Sequence, residues 1–211
     1  GVSATAVQVK VEVAESSDPP VSSGAIDNTQ IVDGGATTAS GAALALMANA
    51  SDPDGVSNTL FTIANAKTSV ATSFSSVTTG TTSANGTSVT GTYGTLVVGA
   101  DGSYAYTLDS GDTVAAAVTA LPAGQSLTDS FIVQVNDGSA NGNQTLNIVI
   151  TGINNAPTVS AALTSAANED AEAYSLSLTT NASDVDTGTT LSVTNVTYAI
   201  DGGSASSTDP D

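Results

Sequence analysis

The chain has no cysteine, histidine, arginine or tryptophan, and only two lysines, Lys10 and Lys67, among its 211 residues. Without cysteine there is no disulfide, no zinc–thiolate centre and no thiol nucleophile. Without histidine as well, serine- and cysteine-type catalytic triads are unavailable. Two cations cannot displace the counterions of a phosphate backbone, so nucleic acid is excluded as a partner. The same sign argument disfavours an anionic membrane surface. No run approaches the ~18 apolar residues of a spanning helix, so no membrane insertion is expected. Gly1-Val2-Ser3 lacks the charged and apolar regions of a signal peptide, so if the protein is exported its targeting signal is expected outside these residues.

Against the two lysines stand 20 acidic residues, for a formal net charge of -18, and 16 of the 20 are aspartate. Aspartate is the short carboxylate of turns and of oxygen-ligand metal loops. A charge of this size repels itself in a compact state unless something cationic neutralises part of it. The composition therefore points to a divalent cation. The length allows one to two domains of ordinary size.

The stretch from Tyr93 to Pro157 reads as short strands joined by turn chemistry. Leu96 and Val98 alternate with Thr95 and Val97, and Ala100-Asp101-Gly102 turns the chain into Tyr104, Tyr106 and Leu108. Period-2 runs around Asp-Gly are a strong hairpin signal. Val114, Val118 and Leu121 are spaced for about two helical turns, which Pro122 and Gly124 stop. Phe131, Val133 and Val135 alternate again up to Asn136-Asp137-Gly138-Ser139, and Leu146, Ile148 and Ile150 form a closing strand. Between Phe61 and Thr92 a Ser/Thr-rich tract alternates weakly at Val70, Phe74 and Val77 and turns at Asn85-Gly86. Edge strands or a surface hairpin are expected there.

This stretch resembles the VCBS repeats of very large bacterial surface and secreted proteins, of the RTX-adhesin type. The likeness is carried by Gly94-Thr95-Leu96, Asp101-Gly102-Ser103-Tyr104, Tyr106, Asp129-Ser130-Phe131, Asn136-Asp137-Gly138 and Gly152-Ile153-Asn154-Asn155-Ala156-Pro157. The resemblance implies a structural, adhesive module rather than a catalyst, at an extracellular or bacterial cell-surface location.

Earlier in the chain, Val7, Val9, Val11 and Val13 alternate with Gln8, Lys10 and Glu12, which predicts a half-buried strand over Ala6–Val13. A breaker-rich linker, Glu15 to Pro20, follows. Asn49-Ala50-Ser51-Asp52-Pro53-Asp54 recurs 132 residues later as Asn181-Ala182-Ser183-Asp184-Val185-Asp186, and Leu44 and Leu46 recur as Leu176 and Leu178. Gly41–Ala50 has helical propensity, but the copy alternates, so strands are expected in both. A repeat of this size implies similar domains in series. The expected division is 1–15 as the last strand of a preceding module, 16–156 as a complete module, and 157–211 as the first part of another. An isolated strand and a partial sandwich do not stand alone. A longer covalent array is expected, with a donor-strand-linked filament of copies of the chain as the alternative.

The two Asp-x-Asp pairs, Asp52/Asp54 and Asp184/Asp186, lead the candidates for chemistry. Residues i and i+2 can face one ion when the residue between points away, and calcium takes six to eight oxygens. The linker Asn154-Asn155-Ala156-Pro157 resembles the inter-domain calcium linker of cadherins. That resemblance implies one site using Asn154, Asn155, Asp184 and Asp186 and an earlier one using Asp18, Asp52 and Asp54 with Glu15 nearby. Glu169-Asp170 matches the acidic pair of such modules, where the first module carries Thr37-Thr38. An aspartic-protease reading of Asp186-Thr187-Gly188 and Asp109-Ser110-Gly111 is disfavoured by the extra charges of Asp184 and Asp112 beside them, and no enzyme is expected. Tyr93, Tyr104, Tyr106, Tyr174 and Tyr198 are expected in or near the core; on an exposed sheet face they would instead mark a carbohydrate-binding or cell-recognition module. The expected fold is all-β, an immunoglobulin- or cadherin-like Greek-key sandwich in tandem. Calcium is the expected cofactor. Neighbouring modules or copies of the chain are the expected partners, with surface or matrix glycans as the second class.

Overall fold

A computed structural model describes Gly1, residues 16–166, Glu172, residues 174–197 and Ala199. The expected strand Ala6–Val13, Glu15, the pair Glu169-Asp170 and Tyr198 lie outside the described residues. The elements run β1 (Val21–Ser22), β2 (Ile26–Val32), β3 (Thr38–Gly41), β4 (Ala50–Ser51), β5 (Thr62–Thr68), β6 (Ser75–Ser76) and β7 (Thr87–Thr90). They continue with β8 (Gly94–Val98), β9 (Tyr104–Leu108), helix α1 (Asp112–Thr119), β10 (Ser126–Asn136), β11 (Asn141–Thr151), β12 (Thr158–Val159) and β13 (Ala182–Ser183). The fold is all-β and sandwich-type. One sheet has the order β2-β11-β10-β5-β6 and another β3-β9-β8-β7, with two-stranded pairs β1-β4 and β12-β13. No helix among the described residues is long and apolar enough to cross a membrane.

The described residues gather into two compact units. One holds those up to Asn28 with Thr38–Leu108 and Asp129–Ile148; the other holds Thr29–Thr37, Asp109–Thr128 and those from Val149 on. In the first unit the period-2 pattern does what the pleat requires, sending alternate side chains to one face. Leu96, Val98, Tyr104, Tyr106, Phe131, Val133 and Leu146 are all buried. Strands β8 and β9 pair antiparallel with Leu96 opposite Tyr106, across the Asp101-Gly102 turn. Strand β10 lies between β11 and β5, and the Phe131 ring meets Tyr106 edge-on, centroids 6.1 Å apart. Gln144, fully buried, ties β11 to the chain's beginning. It accepts from the Ser22 hydroxyl and donates to the Gly24 carbonyl at 2.8 Å. Glycine at 142 is required there, because a Cβ would sit 1.7 Å from the Pro20 carbonyl oxygen.

The Ser/Thr tract yields β5, β6 and β7, with Val77 buried and Val70 87% exposed. The helix expected from Val114, Val118 and Leu121 is α1, which ends at Thr119 ahead of Pro122 and buries Val118. Gly41–Ala50 differs from expectation. Strand β3 stops at Gly41, Leu44 takes a left-handed φ of 67°, and Ala45–Met47 make a 3-10 turn. The Leu44 and Leu46 N–H groups donate to the carbonyls of Asp101 and Gly102, so the segment caps the β8–β9 turn and buries Leu46 and Met47. Leu176 and Leu178 likewise lie outside any strand.

Candidate functional site

The two Asp-x-Asp motifs adopt the same local architecture. At the first, β1 pairs with β4, Val21 opposite Ser51 and Ser22 opposite Ala50. At the second, β12 pairs with β13, Thr158 opposite Ser183 and Val159 opposite Ala182. The Ser23 N–H donates to the Asn49 carbonyl at 2.8 Å, and the Ser160 N–H to the Asn181 carbonyl at 2.9 Å. In each motif the second aspartate's N–H reaches the first one's carboxylate: Asp54 to Asp52 Oδ1 at 2.7 Å, and Asp186 to Asp184 Oδ1 at 2.8 Å. In each, a linker residue two positions before proline donates its N–H to the second aspartate. Asp18 reaches Asp54 Oδ2 at 2.7 Å, and Asn155 reaches Asp186 Oδ2 at 2.8 Å. These Asx-type turns bring Asp18, Asp52 and Asp54 together at one motif and Asn155, Asp184 and Asp186 at the other. Asn154 points elsewhere, donating to the Asn155 carbonyl at 2.9 Å on the exposed side.

A residue not foreseen from the sequence joins the first motif. Asp137, in the turn between β10 and β11, accepts the N–H groups of Ser139 and Ala140 on Oδ1 at 2.6 and 2.7 Å. These backbone donors, Ala140 foremost and then Ser139, hold its carboxyl below the ordinary aspartate range, with a smaller contribution from the Asp52 side chain beside it. Asp137 Oδ2 and Asp52 Oδ2 are both buried and both lack a hydrogen-bond partner. Buried carboxylate oxygens without partners are costly.

The second motif closes differently. Asp186 is 5% exposed, and the second unit also brings in Asp33, 7% exposed, from the turn after β2. Asn155 Nδ2 lies 3.0 Å from Asp33 Oδ2, 2.9 Å from the Thr119 carbonyl oxygen and 3.1 Å from Asp186 Oδ1. The Thr187 N–H adds a bond to the Ala120 carbonyl, just past α1, at 2.9 Å.

Among the described residues no group of three or more acidic side chains gathers closely enough to hold a metal alone. A cation at either motif would therefore have to draw on carbonyl, amide and water oxygens as well as carboxylates. That mixed oxygen set suits a hard cation of high coordination number such as calcium. Asp33 and Asp137 went unforeseen because both sit in Asp-Gly turns, where aspartate needs no further reason. Their partners, 153 and 85 residues away along the chain, follow from topology rather than spacing.

Asp109, in the Asp-Ser-Gly turn before α1, caps its own turn, accepting the Gly111 N–H at 3.0 Å. Tyr104 and Tyr106 are buried, whereas Tyr174 is 58% exposed. No family model matches the chain, and no curated protein is significantly similar to it.

Proposed function

We propose that the chain is an extension or adhesion segment of a large extracellular bacterial surface or matrix protein, with VCBS- and cadherin-like Greek-key modules in tandem and calcium stiffening the module boundaries. One observation carries this reading: the buried, unpartnered Oδ2 atoms of Asp52 and Asp137. A bound cation removes the desolvation cost that those two oxygens otherwise impose. Asp52 and Asp137 would hold it at the first motif, with Asp54 alongside. At the second motif, Asp33, Asp186, the Thr119 carbonyl and the Asn155 side chain would hold it. Calcium supplies charge neutralisation there and no redox or acid–base chemistry. The chain's own contribution is to fix the ligands: Asx turns aim each Asp-x-Asp pair, and the linker N–H groups of Asp18 and Asn155 hold the second aspartate in place.

Burial of Tyr104 and Tyr106 supports the scaffold reading over a tyrosine platform for glycans. The net charge of -18 supports a cation-dependent compact state. Thermal melting tests the reading. A ligand that binds only the folded chain stabilises it by about 2.7 kcal/mol at a hundredfold excess over Kd. The melting temperature is therefore expected to fall on chelation and recover with calcium but not with added sodium. Asp52→Asn together with Asp137→Asn is expected to remove most of that response. Coincident melting curves in calcium and in chelator would remove the basis for the proposal.

A further inference from the structure

We propose that a cavity beside the β8–β9 turn binds a primary ammonium group on an aliphatic stem, held by Leu44 and Asp101. The site lies wholly within the first unit and does not depend on the calcium reading. The cavity measures about 360 Å³, within the roughly 300–1,000 Å³ of small-molecule sites. Ala43, Leu44, Phe61 and Ala100 give it apolar walls, and Asp101 adds a carboxylate. Phe61 and Ala100 are buried, whereas Leu44 is 39% exposed. Leu44 is also the one non-glycine residue with a positive φ among the described residues. A bulky side chain is strained there, and glycine holds the same backbone without strain. The turn uses only the Leu44 N–H, which donates to the Asp101 carbonyl at 2.8 Å. Neither the core nor the turn therefore accounts for a leucine at this position. Backbone strain of this kind gathers at binding sites, and here the strained residue presents its side chain as a wall of the cavity.

The hydrogen bonds around the cavity select its occupant. The Thr81 hydroxyl donates to the Thr78 carbonyl at 2.6 Å and accepts the Ala100 N–H at 3.2 Å. The Thr82 hydroxyl accepts the Ala84 N–H at 3.3 Å, and the Thr59 hydroxyl pairs with that of Ser57 at 2.9 Å. These lining hydroxyls are already engaged, which disfavours a sugar and its ring of hydroxyls. Asp101 Oδ1 accepts the Ser103 N–H at 3.0 Å and the Ser103 hydroxyl at 2.6 Å. Its Oδ2 accepts from no described residue. A carboxylate oxygen only accepts, so it calls for a donor, and a charged donor makes the stronger bond. The apolar walls call for carbon rather than water. An alkylammonium answers both, with its stem on the walls and its head on Asp101. The net charge of -18 attracts such a cation. Lys67, the one described lysine, is committed elsewhere: its Nζ donates to the Ala71 carbonyl at 2.8 Å and lies 5.0 Å from the centre of the Phe74 ring. The occupant is therefore a free amine or the lysine side chain of a partner.

Titration of the isotope-labelled whole chain, followed by the NMR shifts of its backbone amides, tests the assignment. Pentylamine stands for the free amine, Nα-acetyl-lysine methylamide for a partner's lysine, and pentanol for the uncharged stem. At least one of the two amines is expected to shift the amides of Ala43, Leu44, Ala100 and Asp101 saturably, and pentanol is not. Binding of the blocked lysine assigns the site to a partner's side chain; binding of pentylamine alone assigns it to a free amine. Asp101→Asn keeps an oxygen for the Ser103 N–H and is expected to weaken amine binding about tenfold or more, the worth of one charge-assisted hydrogen bond. Asp109→Asn removes the same charge at an exposed residue outside the cavity and is expected to leave binding unchanged. Leu44→Gly is expected to weaken binding while melting close to the parent, because relief of strain offsets the lost side-chain contacts. No saturable shift with either amine, equal binding of pentanol, or equal effects of Asp101→Asn and Asp109→Asn would overturn the proposal. A much lower melting temperature for Leu44→Gly would make Leu44 a packing residue and overturn it as well.

Discussion

Asp129→Ala is expected to cost about 3–5 kcal/mol, because it removes a buried acceptor of three hydrogen bonds. Asp129 is 3% exposed. Its Oδ1 accepts the Thr92 N–H at 2.7 Å, and its Oδ2 accepts the Tyr93 N–H at 2.9 Å and the Tyr106 hydroxyl at 2.7 Å. Truncation leaves the Thr92 and Tyr93 N–H groups without this acceptor and takes one partner from the Tyr106 hydroxyl, at roughly 1–3 kcal/mol for each donor that stays buried and unpaired. The approach is close enough to exclude a side chain at Gly91, whose Cβ would lie 2.5 Å from Asp129 Oδ2. The carboxylate therefore fixes the turn between β7 and β8 to strand β10. Urea unfolding with linear extrapolation measures the loss. A loss under about 1 kcal/mol would mean that water replaces the carboxylate and that the turn does not depend on it.

Phe131→Ala is expected to be as damaging, at about 3–5 kcal/mol for truncating a buried aromatic. Phe131 is fully buried in β10, opposite Thr68 of β5, with its ring edge-on to Tyr106 at an interplanar angle of 66°. The edge-to-face contact adds to the area that the ring buries. A loss below about 1 kcal/mol would put Phe131 on the outer face and shift the strand by one residue. Asp129 and Phe131 both touch Tyr106, so the double variant is expected to lose less than the two single losses combined.

The strands were legible where alternation is strict and bounded by turn residues. Leu96 to Val98, Tyr104 to Tyr106, Phe131 to Val135 and Leu146 to Ile150 all bury the face that their period predicts, and Leu108 is half-buried. The repeat was legible too, and its two copies share pairing as well as composition. Gly41–Ala50 misled because alternating Ala and Leu fits strand, helix and turn alike. Its backbone is decided instead by the free carbonyls of Asp101 and Gly102, which lie far along the chain. Asp129 stood out only through the family likeness, and its role as a buried acceptor required Tyr106 and the Gly91 turn to meet it. At the candidate metal sites the Asp-x-Asp pairs were legible from their i, i+2 spacing and their repetition. Asp33 and Asp137 were not, because sheet topology rather than local sequence carries a turn aspartate to a distant loop.

Calcium titration calorimetry on the whole chain, beside Asp137→Asn, tests the central claim most directly. Calcium is expected to bind the unmodified chain, and Asp137→Asn is expected to lose the first-motif site while keeping the same fold by circular dichroism. Heats no larger than dilution for the unmodified chain, or a titration that Asp137→Asn leaves unchanged, would contradict it.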